Sequence, residues 1–62
     1  MSQEDILNII KKFGGEATIE QIKNYAKKNY SGTLYLYILN RLKKLEINDK
    51  IYYIKGKWKI KK

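Results

Sequence analysis

The chain has 62 residues, room for one domain over residues 1–62 with one small core, and such a chain buries only about 60% of its unfolded surface. Apolar residues make up 44% and aromatic residues 13%, too much for a disordered chain, and no apolar run approaches the ~18 residues of a membrane span. Histidine and cysteine are absent, which excludes disulfides, thiol chemistry, the usual proton shuttles and most metal sites.

Net charge is +8, and its distribution is uneven. Residues 1–22 hold two lysines against four carboxylates, a balance of −2; residues 23–62 hold twelve Lys and Arg against two carboxylates, a balance of +10. Such asymmetry points to a polyanionic partner, although a Lys-rich solvated surface gives the same totals. The six carboxylates form no close pair suited to acid–base work, so the expectation is no enzyme, no cofactor, no metal and no small-molecule ligand. The N-terminus has no charged region followed by an apolar stretch, so a cytoplasmic location is expected.

In chain order, Ser2 and Asp5 have the spacing of a capping box, and Ile6, Ile9, Ile10 and Phe13 share one helical face with Leu7 at its flank. Gly14-Gly15 then supplies a left-handed stop; no Gly-Lys-Ser/Thr comes after it, so it is no phosphate loop. Glu16-Ala17 reads as a short extended link or single bridge. Thr18 and Gln21 form a second capping box, opening a helix to about Lys28 that buries Ile19, Ile22 and Ala26 with Tyr25 at the edge.

Asn29-Tyr30-Ser31-Gly32 is the next turn, with Asn29 suited to a left-handed helix end and Ser31 or Thr33 able to cap the next helix. That third helix is expected over 33–47. One apolar arc takes Tyr35, Ile38, Leu39, Leu42 and Leu45; the opposite face takes Thr33, Tyr37, Asn40 and Lys44, with Arg41 and Lys43 at its margins. That polar face carries no carboxylate. Asn and Arg can pair with base edges, and Lys and Thr suit phosphates. A helix of about 15 residues is ~22 Å long and fits a major groove ~12 Å wide.

After Asn48-Asp49 the period changes to two. If Lys55-Gly56 is a two-residue loop, Tyr53 faces Trp58 and Ile51 faces Ile60 on the inner side, while Tyr52 with Lys59 and Ile54 with Lys57 share the outer side. Tyr25, Tyr35, Tyr53 and Trp58 are expected at the core or its edge, and Lys61-Lys62 as a frayed tail.

Three helices and then a hairpin with a basic tip is the order of a winged helix-turn-helix domain. The run R-L-K-K-L-E-I-N-D-K-I-Y-Y-I resembles the end of the third helix and the first wing strand of small bacterial, archaeal or viral regulators of that superfamily, with Leu42, Leu45 and Ile51 at the apolar positions. The resemblance implies an α+β fold with a C-terminal two-stranded β-hairpin wing. It implies double-stranded DNA as partner and transcriptional regulation as role, with the third helix in the major groove and the wing on phosphates. Contacts would come from Ser31, Thr33, Tyr37, Asn40, Arg41 and Lys44, and from Lys55, Lys57 and Lys59 in the wing. A homodimer would fit, because palindromic sites are usual for the motif. The wing is short, and Asn48 or Asp49 stands where the family usually has Gly. W-K-I in the last strand is also similar to Z-DNA-binding winged domains, but these place an Asn and a Tyr one turn apart where Leu36 and Asn40 stand here. Two rivals are a sequence-indifferent protein that coats DNA, favoured by a single Arg among 14 basic residues, and a protein-interaction winged helix, whose mark would be an exposed apolar patch.

Overall fold

A computed structural model describes residues 1–30, 32 and 34–61. Helix α1 spans Gln3–Lys12, strand β1 Glu16–Ala17, α2 Ile19–Asn29, α3 Tyr35–Ile47, β2 Ile51–Ile54 and β3 Lys57–Ile60. The strands form one antiparallel sheet in the order β1-β3-β2, so the fold is α+β. The expected two-stranded hairpin forms from β2 and β3, and a third strand joins it: Glu16 pairs with Lys59 and Ala17 with Trp58, making β3 the central strand.

Both capping boxes form. Ser2 Oγ accepts from the Asp5 amide while the Ser2 amide donates to the Asp5 carboxylate at 2.8 Å; Thr18 and Gln21 repeat the exchange. Helix α1 ends in a Schellman motif, with the Gly15 amide donating to the Ile10 carbonyl and the Gly14 amide to that of Lys11. Helix α3 ends the same way without glycine: Lys50 donates to Leu45 and Asp49 to Glu46, and Asp49 adopts φ +63.

Elsewhere the helix ends depart from expectation. Asn29 is the last residue of α2, with its side-chain amide on the Tyr25 carbonyl; the left-handed turn falls on Gly32, at φ +76. The N-cap of α3 is Leu34, which makes no side-chain cap, so the helix starts two residues later than 33. Ser31 and Thr33, the expected caps, lie outside the described residues, as does Lys62.

The core is one cluster: Ile6, Ile9 and Ile10 of α1, Ala17 of β1, Ile22 and Ala26 of α2, Ile38, Leu42 and Leu45 of α3, and Ile51 of β2. The buried line of α3 is narrower than its apolar arc, because Tyr35 and Leu39 stay exposed. Phe13 is exposed too, edge-on to the half-buried Tyr25. The hairpin register is the one the alternation requires, Ile51 with Ile60, Tyr52 with Lys59, Tyr53 with Trp58 and Ile54 with Lys57. Its two turn residues, Lys55 (φ +51) and Gly56 (φ +80), are both left-handed, as a type I′ turn demands. Tyr53 lies beyond the edge of the core and remains 53% exposed, T-stacked on Trp58. Lys61 is no frayed end: its amide donates to the Lys50 carbonyl and its ammonium to Asp49.

Candidate nucleic-acid interface

Position on α3 decides what its side chains can reach. Ile38, Leu42 and Leu45, spaced four and three apart, are buried against the rest of the molecule. Leu36, Asn40, Lys43 and Ile47, spaced four, three and four, sit roughly 160° around the helix from that line. All four are exposed, Leu36 at 62% and Ile47 at 73%. Lys44 flanks this ridge and is exposed as well. No carboxylate lies on the ridge. The first turn of α3 has none either, which leaves the positive end of the helix dipole free to favour an anion.

The two flanks differ. On one, Arg41 is half-buried and donates Nε–H to the Met1 carbonyl at 3.3 Å, with its guanidinium carbon 5.9 Å from the Tyr37 ring centre. Tyr37 and Arg41 therefore belong to the side that meets the start of α1. On the other flank, Leu39, Leu42, Lys43 and Glu46 line a shallow groove closed by Trp58 of β3. The side of α3 that faces the hairpin is thus the Leu39–Lys43 side. Sequence reasoning placed Lys43 at a margin and Trp58 at the core or its edge, without bringing the two together; a helical wheel gives directions around one helix but not which neighbour stands in each.

Near the first turn of α3, Lys23, Asn24 and Lys27 of α2 line a second groove with Tyr35 and Ile38, and the Lys23 ammonium sits 5.4 Å from the Tyr35 ring centre. These α2 residues were absent from the expected contact set. The signal was available, since Lys23 and Lys27 are one turn apart on the polar side of a helix leading into the turn before α3.

The hairpin lysines divide. Lys55 is exposed in the turn. Lys57 and Lys59 alternate with Trp58 and Ile60, which pack on the core, so they point to the opposite face of the sheet with Tyr52 and Ile54. There Glu16 of β1 holds both, at 3.2 Å from Lys57 Nζ and 3.8 Å from Lys59 Nζ. The hydrogen bond and charge of Lys57, then the charge of Lys59, hold the Glu16 carboxyl below its ordinary range. Of the expected contact residues, then, Asn40 and Lys44 share the exposed side of α3, Lys55 sits in the hairpin turn, Arg41 is tied to Met1 with the exposed Tyr37 beside it, and Lys57 and Lys59 are paired on the far side of the sheet.

Among the described residues no group of three or more Asp and Glu side chains is arranged to hold a metal ion, and no helix is long and apolar enough to cross a membrane. Compared with known proteins, the chain matches no family model, no curated protein and no solved structure.

Proposed function

We propose that this chain is a non-enzymatic double-stranded DNA-binding protein of winged helix-turn-helix type, acting as a transcriptional regulator. Helix α3 enters the major groove through Leu36, Asn40, Lys43 and Lys44, with phosphates met by Lys23 and Lys27 of α2 and by Lys55 in the hairpin turn. The observation that carries this reading is the exposed, carboxylate-free ridge of α3 directly across the helix from its buried line, in the part of the chain that carries +10. A solvated surface helix normally intersperses acidic residues for solubility and for i,i+4 pairing.

A second reading rests on a different feature of the same helix. Leu34, Leu36, Leu39 and Ile47 are all exposed, as are Tyr35 and Tyr37, and an apolar surface of this kind also suits a protein partner. Titrating a fluorescent duplex against specific and scrambled competitors at two salt concentrations separates the readings. A regulator binds with affinity that falls steeply with salt and resists scrambled competitor. A coating protein shows the same salt dependence and no discrimination. A protein-interaction module leaves the duplex free at both salts.

A further inference from the structure

The ridge of α3 has a composition that a phosphate-binding helix does not need. Two of its four members are large aliphatic side chains, Leu36 and Ile47, held in solvent. Between them Asn40 is the one amide and Lys43 the one cation on the line. The proposed function turns this face toward DNA: it includes Lys43, is flanked by Lys44 and holds no carboxylate. The aliphatic residues must then find apolar surface within that polyanion.

In the major groove of B-DNA the apolar group on offer is the thymine C5-methyl, and the base that an Asn pairs with bidentately is adenine. Guanine is read best by an arginine fork. The one arginine of the chain donates to the Met1 carbonyl on the flank of α3 and is half-buried there. Leu36 and Asn40 are one helical turn apart, ~6 Å along the axis, which is about two base-pair steps.

We infer that α3 selects A·T base pairs in the major groove by burying thymine methyl groups against Leu36, with Ile47 supplying a second such contact farther along the helix and Asn40 pairing with adenine. This rests on the DNA-binding reading above and goes beyond it by naming the base and the chemical group recognised. The methyl is the discriminating group: uracil presents the same hydrogen-bonding edge without it.

The test compares binding of the whole chain to an alternating A·T duplex, to the same duplex with every thymine replaced by uracil, and to alternating G·C duplexes with and without 5-methylcytosine. Fluorescence anisotropy at one fixed salt concentration gives the affinities. Each methyl buried in the thymine duplex and missing from the uracil one weakens binding about fourfold. Methylating cytosine should restore part of the affinity lost on G·C. The thymine–uracil difference should shrink in Leu36→Ala while residual affinity and its salt dependence persist; Leu36 is exposed, so this variant keeps its fold. Equal binding of thymine and uracil duplexes, or a difference unchanged in Leu36→Ala, overturns the inference and leaves DNA binding standing. Failure to bind any of the four duplexes overturns both.

Discussion

Arg41 donates its Nε–H to the Met1 carbonyl oxygen at 3.3 Å, tying the middle of α3 to the start of α1 across forty positions of chain. The bond takes the one guanidinium in the sequence out of the exposed ridge, and makes Arg41 a packing residue before it is a recognition residue. Replacing it with alanine removes that charge-assisted bond to the Met1 carbonyl. Urea unfolding of Arg41→Ala should show a loss of about 1–2 kcal/mol. The order of preference among duplex sequences should stay as in the parent chain; a relaxed preference at a guanine would show that Arg41 reads DNA after all.

Glu16 is the counterweight to the hairpin lysines. Its carboxyl is shifted down by Lys57 first and Lys59 second, so it titrates below its unfolded value. A group of that kind stabilises the fold at pH values above its unfolded pKa, and the contribution disappears as pH falls through the folded one. The stability difference between the parent chain and Glu16→Gln should therefore favour the parent at pH 7 and shrink below the ordinary carboxylate range near about 4.3. Urea titrations of both chains at several pH values check this. At neutral pH the same variant frees two ammonium groups on the face of the sheet away from α3, so its duplex affinity and salt slope should stay close to those of the parent chain.

Asp49 closes α3 in a conformation that glycine adopts at little cost, at φ +63. It also accepts from Lys61 at 2.6 Å, but that ion pair is exposed and contributes little. Asp49→Gly should raise stability by about 0.5–1 kcal/mol, read as a higher thermal midpoint. A lower midpoint would show that tying down Lys61 outweighs backbone strain.

Leu42 is 1% exposed in the centre of the buried line of α3. Truncation of such a residue costs about 2–5 kcal/mol, against roughly 3–9 kcal/mol for a whole domain of this length. Leu42→Ala should be largely unfolded by far-ultraviolet circular dichroism at 37 °C, whereas Leu36→Ala, on the opposite side of the same helix, should melt within a few degrees of the parent.

What could be read from sequence was local. The capping boxes at Ser2 and Thr18 need only residues three apart, and the hairpin register comes from a two-residue turn plus the rule that Ile51 and Ile60 share a face. The third strand was less legible, because Glu16-Ala17 is too short for alternation to show and finds its partner more than forty residues away. The exposure of Tyr35 and Leu39 depends on how broad a surface stands behind α3. That surface covers the Ile38–Leu42–Leu45 line and stops there, so a wide apolar arc meets a narrow core. For the candidate site, the outward direction of Asn40 and Lys44 could be read from periodicity. Which flank meets the hairpin could not, and so Arg41 was expected on the interface while Lys43, beside Trp58, was left at its margin.

Two basic surfaces compete for the duplex: the ridge of α3, and a concavity on the far side of the sheet that Lys11, Lys59 and Lys61 line with Tyr52. Backbone amide NMR of the isotope-labelled chain, titrated with a short duplex, distinguishes the two. The predicted result is shifts concentrated at Leu36, Asn40, Lys43 and Lys44 of α3, with smaller ones at Lys23, Lys27 and Lys55 and the side-chain resonance of Trp58 moving with them. Shifts confined to Lys11, Tyr52, Lys59 and Lys61, with α3 unmoved, would contradict it.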